Sequence, residues 1–91
     1  MQPIQFYGQK NITSRRIQET RKRLGLSQDQ LAARLQVMNV NMDQQILSRI
    51  ERNLRIVTDY EVVCFARALG VSESWLLGGF DEIAAKSQTK G

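Results

Sequence analysis

The chain is 91 residues long, which allows one domain with one hydrophobic core. It has no histidine and one cysteine, Cys64, so the sequence excludes an intramolecular disulfide, a zinc or haem site of the usual kind and a nucleophile–histidine catalytic pair. Residues 1–55 carry a formal charge of +6 and residues 56–91 a charge of −2. This asymmetry indicates that one surface meets a polyanion.

No apolar run approaches the length that a membrane-spanning helix requires, and the N-terminal residues lack the layout of a signal peptide. We therefore expect a cytoplasmic protein that has no membrane contact, no metal, no cofactor and no enzymatic activity.

Residues 1–11 contain Pro3 and Gly8 and show no sustained period, which predicts a flexible N-terminal arm. Lys10, Arg15 and Arg16 give this arm a basic end that could lie on a phosphate backbone. A frayed terminus is the alternative for residues 1–8.

Two helices are predicted next. Apolar and charged residues recur at helical spacing from about Thr13 to Leu24, and Gly25 follows where a left-handed cap would end helix 1. Ser27 and Gln30 have the spacing of a capping box, which opens helix 2 with the apolar stripe Leu31, Ala32 and Leu35.

The segment Gln36–Met42, QVMNVNM, has no clear period and predicts a loop, with an extra half-turn of helix 2 as a possible start. Asp43, or alternatively Asn41, would cap helix 3, which runs from about Gln44 to Arg52.

Thr58 and Glu61 form a second capping-box pattern, which predicts a helix 4 that ends before Gly70. Its candidate core residues are Tyr60, Val63, Phe65, Ala66 and Leu69. Ser72 would cap a short helix 5, ESWLL, closed by Gly78 and Gly79, and Phe80, Ile83 and Ala84 would add a turn before the tail KSQTKG frays. The predicted fold class is all-α, a compact five-helix bundle over residues 12–79 followed by a short, partly disordered extension over residues 80–91.

Helix 3 separates a buried face from a strongly hydrogen-bonding face. At 100° per residue, Ile46, Leu47, Ile50 and the following Leu54 gather on one side. Amide, hydroxyl and guanidinium groups gather on the other, on Gln44, Gln45, Ser48, Arg49 and Arg52. These groups suit base edges and phosphates in a DNA groove, and the alternative is a solvated surface helix.

Three segments together carry a family resemblance: RKRLGLSQDQLAARL at 21–35, ILSRIERN at 46–53 and ARALGVSESWLLGG at 66–79. The chain resembles the Cro/repressor-type (XRE-like) helix-turn-helix domains of phage repressors and bacterial regulators. The resemblance implies a lambda-repressor-like fold in which helix 3 enters the major groove.

By matched position, the resemblance implies base contacts from Gln44, Gln45 and Arg49, with Ser48 beside them. It implies phosphate contacts from Gln28 and Asn53, to which Arg16, Arg52 and Arg55 could add charge. It also implies an ion pair between Arg21 and Glu51, which would join helices 1 and 3.

The chain departs from the family pattern at the connector, where Gln36 replaces a glycine and about five additional residues precede Asp43. Helix 3 could still dock if this excess loops outward. Ile46 is expected to pack inward, with contact to a thymine methyl as the alternative, and Leu54 to plug the core where the family has glycine. Cys64 is expected to pack, and Trp75 to lie in the core or at a dimer contact.

The predicted function is sequence-specific binding of double-stranded DNA by a transcriptional regulator, a repressor in the first instance. The family implies a palindromic operator and a homodimer, here a weak one formed by helix 5 and Phe80–Ala84. The alternative is a protein-interaction module or antitoxin-like component that keeps the helix-turn-helix fold.

Overall fold

The computed structural model describes residues 6–89, with side chains as far as Ala85. Six helices follow one another: α1 (Ser14–Arg23), α2 (Gln28–Val37), α3 (Gln44–Glu51), α4 (Asp59–Leu69), α5 (Glu73–Leu77) and α6 (Gly79–Thr89). Residues 6–89 contain no strand beyond an isolated bridge between Phe6 and Gln9. The predicted all-α class is confirmed.

The helices begin where the sequence places their caps. The Ser27 hydroxyl accepts the Gln30 backbone N–H at 3.0 Å, and the Gln30 side chain accepts the Ser27 N–H at 2.8 Å, so the capping box forms. Asp43, rather than Asn41, caps α3 by accepting the Ile46 N–H at 2.8 Å. These caps satisfy backbone donors that the first helical turn leaves without partners.

Each of α1 to α4 is followed, within two residues of its end, by a residue with left-handed backbone geometry. In each case the next residue donates its N–H back to the carbonyl five residues earlier, which is the Schellman arrangement. The four left-handed residues, with their φ angles, are Gly25 (72°), Asn39 (63°), Asn53 (64°) and Gly70 (71°).

The connector between α2 and α3 turns inward, so α3 docks without the outward loop that was considered as the condition for docking. Helix α2 continues to Val37, and Asn39 then redirects the chain. Val40 and Met42 are buried in the core, and the Gln36 side chain donates to the Met42 carbonyl at 2.6 Å. The connector is therefore anchored on both sides of the turn.

The core is built around side chains that are fully buried, among them Ile17, Leu31, Leu35, Leu47, Ile50, Phe65 and Leu76. Phe65, Ala66 and Leu69 occupy it as predicted. Ile46, Cys64 and Trp75 are half-buried and pack against it.

Three core predictions are wrong. Tyr60 is 60% exposed, Val63 lies at the surface, and Leu54 is 44% exposed rather than plugging the core. Helix α4 turns Glu61 and Val62 inward instead, because the Glu61 carboxylate has an arginine partner that permits its burial.

The N-terminal arm was predicted over residues 1–11, of which residues 1–5 lie outside the described residues. Phe6–Asn11 folds back on the domain, and the Phe6 ring stacks on Phe80 with centroids 5.4 Å apart. Gly79, the residue before Phe80, packs against the backbone of Ile12, and a β-carbon at Gly79 would lie 2.7 Å from the Ile12 carbonyl oxygen.

The C-terminal extension differs from the prediction. Helix α6 is a sixth helix that takes in the turn expected at residues 80–84 and continues through Thr89, over residues 86–89 that were expected to fray, while Lys90 and Gly91 lie outside the described residues. Across residues 6–89, none of the helices combines the length and the apolar character needed to cross a membrane.

Candidate nucleic-acid interface

The outward face of α3 forms an open polar surface. Four side chains on it are exposed and Ser48 is half-buried, and all five line one open depression: Gln44, Gln45, Ser48, Arg49 and Arg52. Leu47 and Ile50 on the opposite face are fully buried. Within residues 6–85, neither Arg49 nor Arg52 has a carboxylate partner. The helix therefore presents amide donors and acceptors together with two guanidinium groups that other molecules can reach.

Gln28, at the start of α2, lies beside Gln44 at the start of α3. The Gln44 side-chain amide donates to the Gln28 carbonyl oxygen at 2.7 Å, and the Gln28 amide donates to Glu51 at 3.1 Å. The bond between the two glutamines fixes their relative orientation.

Glu51 also forms a salt bridge with Arg21, so the expected ion pair between helices α1 and α3 is present in the structure. Arg21 Nε lies 2.7 Å from Glu51 Oε2, and Arg21 Nη2 lies 2.9 Å from Oε1. The Glu51 side chain is 0% exposed and that of Arg21 is 10% exposed. Arg21 Nη1 donates further to the Leu26 carbonyl at 2.8 Å, so this guanidinium holds the α1–α2 turn as well.

Arg55 is engaged within the protein. Its guanidinium makes two 3.0 Å bonds to the two oxygens of Glu61. The hydrogen bonds that Arg55 donates to the Glu61 carboxylate raise the pKa of Arg55 above its ordinary value. Burial would raise the pKa of Glu61, but hydrogen bonds from Arg55 and from the Thr58 N–H outweigh it and lower that pKa.

Arg16 is also engaged within the protein, at the junction of α1 with α5 and α6. Its guanidinium lies 4.7 Å from the centroid of the Trp75 ring, donates to the Trp75 carbonyl at 2.5 Å and pairs with Glu82 at 3.0 Å. The Arg16 side chain therefore contacts α5 and α6 and is not part of the polar surface of α3.

Asn53, directly beyond α3, binds the N-terminal segment. Its side-chain oxygen accepts the Lys10 N–H at 2.6 Å and the Asn11 N–H at 3.2 Å. Sequence reasoning missed this role and missed Asn11 altogether, because the two asparagines are 42 residues apart and no local pattern connects them.

In the part of the chain that the structure describes, no group of three or more histidine, cysteine, aspartate or glutamate side chains could hold a metal ion.

Comparison with known families gives a match to helix-turn-helix proteins. The model of a family described as helix-turn-helix matches residues 17–76, a range that extends from within α1 to α5 and takes in all of α2, α3 and α4. Comparison with curated proteins and with solved structures found no match. The matched range includes the whole polar surface of α3 together with Gln28 and the Arg21–Glu51 pair.

Proposed function

The chain belongs to the Cro/repressor-type helix-turn-helix family of DNA-binding regulatory domains, and on this premise we propose that it binds a specific double-stranded DNA sequence by inserting α3 into the major groove. The single observation that carries the proposal is the open polar face of α3, on which Gln44, Gln45, Arg49 and Arg52 are exposed and Ser48 is half-buried.

Base reading is assigned to side chains whose donors fit base edges. Arg49 can donate two bonds to the O6 and N7 of guanine, and Gln45 can pair with adenine through its amide. Gln44 is assigned to a base next to the one that Gln45 contacts, and its bond to Gln28 restricts its orientation. Ser48 lies on the same face, one helical turn beyond the two glutamines. Each good two-bond contact contributes about 1–3 kcal/mol of discrimination between bases.

Phosphate binding is assigned to Arg52, which has no carboxylate partner within residues 6–85, and to the Gln28 amide, which uses one of its two N–H donors for Glu51 and keeps the other. Gln28 lies at the N-terminal end of α2, where backbone N–H groups and the helix dipole favour an anion. Arg16, Asn53 and Arg55 also match the sequence expectation of phosphate contacts, but their side chains already bind carboxylates, carbonyls and backbone amides of the protein. We therefore assign these three residues to holding the frame around α3.

The proposed regulatory outcome is repression, as the resemblance to phage repressors implies. We further propose a weak homodimer on a palindromic operator, with half-sites about one helical turn apart. The supporting observation is a patch of exposed apolar side chains on the arm, α5 and α6, formed by Phe6, Leu77 and Phe80.

The test is selection of binding sites from random DNA, followed by the substitution Arg49→Ala. We expect the native protein to enrich one sequence and Arg49→Ala to lose preference at one base pair, worth about 1–3 kcal/mol, while the other positions stay selected. The matched control is Arg67→Ala, which removes an exposed arginine from α4 and should leave the preference unchanged.

If no sequence is enriched at any salt concentration, direct readout by α3 is wrong. The exposed Gln44–Arg52 surface would then fit the alternative, a protein-interaction module or antitoxin-like component with the same fold.

A further inference from the structure

The N-terminal segment is joined to the end of α3 by a pair of asparagines, Asn11 and Asn53, which we call the asparagine clasp. The Asn53 amide oxygen accepts the backbone N–H groups of Lys10 and Asn11 at 2.6 and 3.2 Å. The Asn53 amide nitrogen lies 3.1 Å from the Asn11 carbonyl and 3.1 Å from the Ser14 hydroxyl. One side chain thereby binds both the N–H and the carbonyl of Asn11.

The Asn11 side chain in turn binds the backbone on both sides of Asn53. Its amide donates to the carbonyls of Ile50 and Arg55 at 3.2 and 2.9 Å, on either side of the turn that Asn53 makes. Asn11 is buried, and its side-chain oxygen accepts the Thr13 N–H at 3.1 Å. Bonds that run in both directions hold the backbone of Lys10 and Asn11 at a fixed place beside the C-terminal end of α3.

Lys10 occupies this place with an exposed side chain, and within residues 6–85 its ammonium has no carboxylate partner. The C-terminal end of a helix carries a partial negative charge, which repels phosphates. A lysine held there offsets that charge and extends the positive surface that begins at Arg49 and Arg52.

We propose that the asparagine clasp is a positioning device that fixes Lys10 so that its ammonium binds a DNA phosphate beside the end of α3. This inference rests on the proposed function, since it assumes that α3 enters the groove. It assigns the phosphate contact to Lys10 rather than to Asn53, because Asn53 would have to break the clasp to reach a phosphate.

The experiment measures the dissociation constant, as a function of salt concentration, for the DNA sequence selected by the native protein. Each phosphate contact adds about 0.9 to the slope of log K against log salt, so from about 50 to 200 mM salt native binding should weaken about 3-fold more than binding by Lys10→Ala. Base preference should be unchanged. Arg67→Ala is the control for loss of one positive charge and should keep the native slope.

The clasp itself is tested with Asn53→Gly, which removes the amide but tolerates the left-handed backbone at this position. We expect the backbone amides of Lys10 and Asn11 to lose their protection from hydrogen exchange. In the Asn53→Gly background, Lys10→Ala should change the salt slope by clearly less than it does in the native background.

The proposal is overturned if the native protein binds its selected sequence and Lys10→Ala behaves like Arg67→Ala. It is also overturned if Lys10→Ala has the same effect with and without Asn53, which would separate the lysine from the clasp. A native protein that selects no sequence refutes the proposed function, and the phosphate contact with it. The exchange measurement would then still report whether the clasp exists.

Discussion

The Glu51 carboxylate, in the last turn of α3, is fully buried, yet it is hydrogen-bonded to Gln28, one of the side chains assigned to DNA. It accepts two bonds from Arg21 and one from Gln28, and Gln28 in turn accepts a bond from Gln44. A buried ion pair contributes little net stability but costs much to break, because one charge is left without a partner. The pair therefore orients α1, α2 and α3 relative to one another more than it stabilises the fold.

The substitution Arg21→Ala tests this role. It should lower the free energy of unfolding by about 3–5 kcal/mol, because the buried Glu51 carboxylate is left without a partner. Urea unfolding measures the change. The control is Arg15→Ala, which breaks exposed pairs with Glu19 and Glu82 and should cost at most about 1 kcal/mol. Equal losses for the two variants would show that burial of the Arg21 pair has no special energetic weight.

At the scale of the helical elements, the connector between α2 and α3 determines where α3 begins. Asn39 adopts the left-handed conformation that ends α2, and Val40 donates its N–H back to the Leu35 carbonyl at 3.1 Å. Val40 and Met42 then enter the core on the way to the Asp43 cap. The extra residues thus form an anchored turn, in which an asparagine adopts the conformation that glycine adopts most readily.

This turn predicts opposite tolerance at two neighbouring asparagines. Asn39→Ala should destabilise the protein by about 1–2 kcal/mol, because alanine lacks the short polar side chain that lets asparagine adopt the left-handed region at low cost, whereas Asn39→Gly should be tolerated. Asn41→Ala, at an exposed position in the same connector, should have little effect. The midpoint of urea unfolding compares the three variants. A loss for Asn39→Gly as large as that for Asn39→Ala would mean that the side chain, rather than the backbone angle, matters.

Helix starts could be predicted from the sequence because their signals are local. Ser27 with Gln30, and Asp43 with Ile46, bond within three residues, so spacing alone reveals them. The inward face of α4 could not be predicted in this way, because Glu61 is buried only when Arg55 is in place to pair with it. A prediction from apolar periodicity alone therefore turns the wrong face of α4 inward and buries Tyr60, which is exposed in the structure.

The polar face of α3 was predictable for the same local reason, since its members repeat at helical spacing. Which of the other polar residues are available to DNA was not predictable. Arg16 and Asn53 bind residues far away in sequence, at Glu82 and Lys10, and only the folded chain shows that these side chains are occupied.

At the scale of the whole molecule, the described surface has a basic side at α3, which we propose binds DNA, and a separate apolar patch. The patch joins the arm to the C-terminal helices, since Phe6 stacks on Phe80, makes an edge contact with Tyr7 and lines a groove with Leu77. Trp75, expected in the core or at a dimer contact, packs against the core and is covered by Arg16. Trp75→Ala would therefore test folding, and Phe80 is the better probe of association.

If two copies associate through this patch, Phe80→Ala should shift sedimentation toward the monomer, because the exposed part of the ring would be buried in the dimer. Sedimentation velocity over a range of protein concentrations, with and without selected DNA, measures the shift. Tyr60→Ala is the matched control, since it removes an exposed aromatic ring from α4. Sedimentation that is unchanged by Phe80→Ala under both conditions would exclude this patch as the dimer surface. Two copies bound to the half-sites of an operator would then have to contact each other through another face.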